Sequence, residues 1–204
     1  MKILIACEFS GIVRDAFIAR GHDALSCDLL PTEKDGPHYQ GDVFDIINDG
    51  WDMMIAHPPC TYLANIGNSW FDESKYGEAA RERKQAREQA AEFFMKLINA
   101  PIPRVCVENP VGAMSTRYQK PTQYIQPYWF GDKEQKKTCL WLRGLSPLTE
   151  TKNVGKPEPR YIGRKNGRQR KIYFVDSQPM TTDRWKIRSR TFPGIAAAMA
   201  AQWG

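Results

Sequence analysis

Paired cysteines, clustered histidines and long apolar runs are all missing from this sequence, and each absence closes a class of structure. The five cysteines, an odd number, stand at positions 7, 27, 60, 106 and 139 with no CxxC among them. That distribution supplies neither a disulfide framework nor a zinc cluster, and it suits a reducing cytosol. His22, His38 and His57 are dispersed without ligand spacing, so no metal site is expected. No stretch approaches the roughly 18 consecutive apolar residues of a membrane span. The run from Met1 to Ala6 gives way to Glu8, so it reads as a first strand and not as a signal. Internal repeats and low-complexity tracts are also lacking.

What is present is enough for one sizeable core. A chain of 204 residues with 42% hydrophobic content predicts a single domain spanning 1–204. The net charge of +6 is a weak pointer to a polyanionic partner when taken alone. Its placement says more: between Lys156 and Lys171 seven Lys or Arg stand against one Glu, a net +6 that equals the total for the chain. The alternative for that segment is a solvated hairpin.

The first half alternates strand and helix patterns. Lys2 to Cys7 reads as a strand, Gly11 to Arg20 as a helix, His22 to Asp28 as a strand, Trp51 to Ala56 as a buried strand and Arg104 to Glu108 as another. A long helix is predicted from about Tyr76 to Asn99, with Ala79, Ala86, Ala90, Phe93, Phe94, Leu97 and Ile98 on its packed face and Pro101 and Pro103 ending it. Such alternation predicts an α/β fold with a doubly wound, mostly parallel sheet. After Glu108 the helical periodicity fades until the alanine-rich end, so irregular structure and short strands are expected there, as a small β appendage.

Ligands in open parallel sheets collect at the carboxyl ends of the strands. The predicted strand ends carry a consistent set: Phe9-Ser10-Gly11 after the first, Asp28 at the end of the second, and Asp42 in the following turn. Each acidic residue suits ribose hydroxyls but also suits a turn cap. The sharpest feature is His57-Pro58-Pro59-Cys60, in which two prolines hold a thiol at a strand tip, with Glu108-Asn109-Pro110 at the tip of the next strand. A thiol and a carboxylate facing one cleft suggest nucleophile and acid.

At these residues the sequence resembles the DNA cytosine-5 methyltransferases, whose catalytic motifs are Pro-Cys and Glu-Asn: Pro59-Cys60 and Glu108-Asn109 match them in order. Phe9-Ser10-Gly11 is similar to the family's cofactor loop, and Gly41-Asp42-Val43 to its adenine-binding turn. Gln135-Lys136-Lys137 is similar to a Gln-x-Arg-x-Arg element, with lysine for one arginine and Cys139 for the other. Arg190-Thr191-Phe192-Pro193-Gly194, before a C-terminal helix within 189–204, is similar to the final motif that returns to the cofactor pocket. Thr61 departs from the usual Gln after the nucleophile.

The resemblance implies a Rossmann-like methyltransferase fold of a small, phage-type variety, acting in a bacterial or phage-infected cytosol. S-adenosyl-L-methionine is the implied cofactor, bound by Phe9, Ser10, Gly11, Asp28, Asp42, Pro58 and Thr191. DNA, most naturally a duplex with its target base flipped out, is the implied partner. Cys60 would add to carbon 6 of cytosine while Glu108 protonates ring nitrogen 3. Asn109, Lys137, Arg164, Lys165, Arg168 and Arg170 would contact substrate, the last five within a reduced recognition segment at 111–185. Three rivals stand beside this reading. Pro58-Pro59 is also similar to the Asp-Pro-Pro-Tyr type motif of amine methyltransferases, against which His57 and Cys60 argue. The same chemistry could act on RNA or a free nucleotide, or the chain could be a non-catalytic DNA-binding or inhibitory module.

Overall fold

The computed structural model describes residues 1–165, 167–173 and 177–204. Short apolar runs buried on both faces build the central sheet. Its strands are β1 (Lys2–Ala6), β2 (Asp23–Asp28), β3 (His38–Gln40), β4 (Met53–Ala56), β5 (Arg104–Pro110), β6 (Gln123–Ile125) and β7 (Thr138–Arg143). They lie in the order β3-β2-β1-β4-β5-β7-β6, and only β7 runs against its neighbours. The expected α/β class and mostly parallel sheet are therefore present. The direction of strand addition reverses between β1 and β4, so the segments following those two strands flank the crevice where ligands enter such sheets.

Alternation along each strand divides the core into two layers. Leu4, Ala6, Met54, Ala56, Val105 and Val107 pack beneath helix α2 (Glu73–Ile98) through its Phe94, Leu97 and Ile98. Ile3, Ile5, Met53, Ile55 and Cys106 pack on the other side against helices α1 (Ile12–Ile18) and α5 (Pro193–Trp203). Gly194 is required at the start of α5, since a Cβ there would lie 2.0 Å from the Phe130 carbonyl oxygen. Among the described residues no helix is long and apolar enough to cross a membrane.

Helix α2 begins at Glu73, earlier than the periodicity predicts, because Asp72 caps it by accepting from the Ser74 amide at 3.1 Å. Gly77, at φ 50° and ψ −124°, breaks its first turn from the rest. A helix of 26 residues is roughly 39 Å long, whereas the seven residues of β5 span about 23 Å. The N-terminal half of α2 therefore overhangs the sheet: Ala79, expected on the packed face, is exposed and Ala86 only half-buried.

The second half of the chain is more regular than its composition suggests. Strand β5 runs on past Glu108 because Asn109 and Pro110 pair with Cys139 and Thr138 of β7. Segment 111–185, expected as an insertion, is not set apart as a whole. It contributes β6 and β7 to the main sheet, with Cys139 and Trp141 buried in one core layer and Leu140 in the other. What stands outside the sheet is a two-stranded antiparallel hairpin, β8 (Tyr161–Lys165) and β9 (Arg168–Ile172). Two short helices, α3 (Met114–Arg117) and α4 (Arg184–Ser189), and 3-10 helices at Val43–Asp45, Asn65–Phe71 and Pro127–Trp129 complete the described elements.

Candidate functional site

The turn after β1 is organised by a residue that the motif comparison passed over. Glu8, only 4% exposed, accepts hydrogen bonds from the Val13 and Arg14 amides at 2.7 and 3.2 Å and from the Ser10 hydroxyl at 3.0 Å. A carboxylate on the first amides of α1 offsets its orphan donors and its positive end. Gly11, at φ 69°, allows the tight entry into the helix. Arg14, wholly buried, then ties down the segment after β2. It donates to Ser26 Oγ and Thr32 Oγ1 at 3.2 Å and to the carbonyls of Lys34 and Asp35 at 3.1 Å. Within a helical pattern both charges read as solvated, and only long-range contacts reveal them as buried.

Cys7, at the tip of β1, is the one non-glycine residue with positive φ (58°) among the described residues. Left-handed backbone at such a position costs on the order of 1 kcal/mol or more and is a recurrent mark of functional sites. Burial, then the charges of Asp28 and Asp42 together with Cys27, pushes its thiol far above the usual range. Burial and the same two carboxylates push Cys27 up to about 12. Asp28 and Asp42 therefore converge on one end of β1 and β2. Each also serves as a turn cap: Asp28 Oδ1 accepts from the Leu30 amide at 3.0 Å, and Asp42 Oδ1 from the Phe44 amide at 3.0 Å. Phe9 is buried and its ring meets Trp185 of α4 at 5.8 Å.

The second half of the site forms at the tips of β4 and β5. Cys60 is exposed, and its carbonyl accepts from the Leu63 and Ala64 amides in a turn. The buried amide of Asn109 donates to the Pro58 carbonyl at 2.9 Å. Asn109, expected to contact substrate, is thus a strut that fixes the Pro-Pro-Cys segment against β5. Glu108 projects from β5 with its Oε2 3.3 Å from His57 Nδ1. His57, at the end of β4, is 7% exposed in its side chain.

Cys60 and Glu108 share one electrostatic field. Burial around the sulfur and the charge of Glu108 raise the Cys60 thiol above its ordinary value, against the pull of Lys136 and Arg188. Burial pushes Glu108 up, but the His57 hydrogen bond, the charges of Lys136 and His57 and the Thr138 hydroxyl outweigh it and hold the carboxyl below the ordinary range. Both directions favour a proton on the sulfur over one on the carboxyl.

Lys136, and not Lys137, is the lysine of this centre. In the extended approach to β7 successive side chains face opposite ways, so Lys136 and Thr138 share the side of Glu108. Lys137 is turned away, its ammonium 4.1 Å from the centre of the Tyr124 ring. The Lys136 ammonium donates to the Arg188 carbonyl at 2.9 Å, bringing α4 to the site. Thr191, expected at the cofactor, lines a cavity of about 10 Å³ with Glu108, Lys136, Thr138 and Phe192. It is placed beside Glu108. Neither Lys136 nor Arg188 stood out in the sequence, since which of two adjacent lysines faces the acid depends on the register of β7.

The basic residues expected to hold DNA lie together on the hairpin. Arg164, Arg168 and Arg170 are exposed, and Arg164 and Lys165 pair with Gln169 and Arg168 across the strands. The side chain of Lys165 lies outside the described residues. An ion pair between Arg160 and Glu134 at 3.5 Å joins the hairpin's base to the segment leading to Lys136. Among the described residues, no three His, Cys, Asp or Glu side chains are grouped to hold a metal ion. No protein-family model matches the chain, and no curated protein is significantly similar to it.

Proposed function

We propose that this protein is an S-adenosylmethionine-dependent methyltransferase with a Rossmann-like fold that methylates carbon 5 of cytosine in DNA. The observation that carries the reading is the juxtaposition of an exposed thiol and a recessed carboxylate at the tips of two adjacent parallel strands, a pair to which we assign one exchangeable proton.

The residues at the other strand tips suit the cofactor. The convergent carboxylates of Asp28 and Asp42 offer acceptors for hydroxyl and amino groups and a negative field for a sulfonium. Gly11 leaves the backbone approachable, and Leu29, 73% exposed beside Asp28, offers apolar cover. S-adenosylmethionine, when bound there, supplies the methyl group and one positive charge.

The chemistry asked of the protein's own residues is a redistribution of that proton. The resting pair holds it on sulfur, whereas addition to cytosine needs it on the carboxyl. Transfer from Cys60 to Glu108 leaves the net charge of the pair unchanged, and Lys136 and Arg188 stabilise the thiolate it creates. Sγ then bonds carbon 6 as Glu108 gives its proton to nitrogen 3, and the displaced electron pair makes carbon 5 nucleophilic. After carbon 5 is methylated its proton is lost to a base, the Sγ–carbon 6 bond breaks, and the nitrogen 3 proton returns to the pair. The exposed arginines of the β8–β9 hairpin suit phosphate contacts that hold the strand while the base is extruded.

The reading is tested by incubating wild type and Cys60→Ala with labelled S-adenosylmethionine and double-stranded DNA, then digesting and identifying the product. 5-Methylcytosine from wild type alone supports it. An amine-methylated base, or equal product from both proteins, refutes it.

A further inference from the structure

The overhanging half of α2 and the loop after Cys60 line an open cavity of about 390 Å³, which falls within the size range of small-molecule clefts. Its walls are the rings of Tyr62, Trp70 and Tyr76, with Arg83 and Glu82 between them. Trp70 and Tyr76 stack at 4.8 Å with their planes 37° apart, yet remain 52% and 38% exposed. The left-handed break at Gly77 sets Tyr76 off the helix that follows and so forms this shelf.

The floor of the cavity is firmly built. Arg83 donates to the Thr61 carbonyl at 3.1 Å and lies over the Tyr62 and Phe71 rings, while Arg87 donates to the Tyr62 carbonyl at 2.7 Å. These bonds place the shelf within two residues of Cys60. The Arg83 guanidinium lines the cavity, and its Nε is buried without a hydrogen-bond partner.

We infer that this cavity holds an unpaired nucleobase next to the target cytosine, so that the strand offered to Cys60 is single or locally opened. The inference rests on the proposed chemistry at Cys60. Stacked rings with an exposed face suit a flat heterocycle of any sequence. The Arg83 guanidinium and the Glu82 carboxylate on the cavity wall suit the mixed acceptors and donors on a base edge. The same two charges disfavour other occupants: Glu82 repels a phosphate, and the Arg83 guanidinium repels a cation of the kind that aromatic cages accept.

The test measures binding of a labelled cytosine-containing oligodeoxynucleotide, single-stranded and as a duplex, by fluorescence anisotropy over a range of salt. Wild type, Trp70→Ala and Trp70→Phe are compared, with methyl transfer assayed in parallel. Loss of one stacked base weakens single-strand binding by Trp70→Ala about 5- to 150-fold, with Trp70→Phe in between. The salt dependence, set by phosphate contacts, stays the same, and duplex affinity falls much less. Equal single-strand affinity for wild type and Trp70→Ala overturns the inference, as does an equal loss on single strand and duplex, or preferential capture of a peptide by the shelf. Shelf-dependent binding without methyl transfer supports base capture by the shelf and sinks the chemistry at Cys60. Methyl transfer with unaltered binding by Trp70→Ala does the reverse.

Discussion

On the proposed chemistry, replacing Glu108 by Gln should make the Cys60 thiol more reactive and methyl transfer far slower. Gln keeps the size of the side chain and can still accept from His57 Nδ1, but it removes the charge that helps hold Cys60 as a thiol. Because Cys60 is exposed, solvent screens that interaction to about 1 kcal/mol or less. The thiolate fraction at mildly alkaline pH should then rise by roughly two- to fivefold. Alkylation by iodoacetamide, followed by mass spectrometry of the Cys60 peptide, reads that change directly. Methyl transfer should fall by about 10²- to 10⁴-fold, the usual contribution of a positioned acid. The opposite signs separate this account from general damage to the site, which would lower both rates. Unchanged or slower alkylation, or methyl transfer within tenfold of wild type, would refute the shared-proton argument.

Three further outcomes follow from the surrounding structure. Burial raises the folded-state pKa of Asp28, so the folded protein binds protons more tightly there, and the ionised carboxylate costs stability at neutral pH that is regained as pH falls through the folded value. Asp28→Asn keeps an acceptor for Leu30, so it should raise the melting temperature at neutral pH and not in acid. It should also weaken S-adenosylmethionine binding by about tenfold or more in calorimetry. Asn109→Ala leaves the Pro58 carbonyl without its donor and should cost about 1–3 kcal/mol in urea denaturation, lowering methyl transfer while cofactor affinity holds. Arg14→Met should cost about 3–5 kcal/mol and open residues 29–37 to limited proteolysis, because it strips the donors from a buried charge network.

The parallel strands were legible because Lys2–Ala6, Met53–Ala56 and Arg104–Val107 are short apolar runs, and their order predicts where their tips lie. Cys60 and Glu108 were legible for the same reason, since proline and strand-end position need no tertiary contact to be recognised. What escaped depends on contacts distant in sequence. Strand β7 joins the sheet only by pairing Thr138–Arg143 with Val105–Pro110, and that pairing decides that Lys136 rather than Lys137 faces the acid. Glu8 and Arg14 carry charges that local pattern assigns to solvent, yet one satisfies the start of α1 and the other a loop some twenty residues away. The overhang of α2 follows from the difference in length between one helix and the sheet beneath it, a comparison that periodicity alone does not make.

The central claim is that Cys60 bonds covalently to the target base. DNA carrying 5-fluorocytosine tests it most directly, because fluorine at carbon 5 replaces the proton whose loss allows the thiol to leave. With S-adenosylmethionine present, the account predicts a denaturation-resistant protein–DNA complex whose linkage maps to Cys60 and is absent from Cys60→Ala. A linkage to another cysteine, or no complex from protein that does methylate ordinary cytosine, would contradict it.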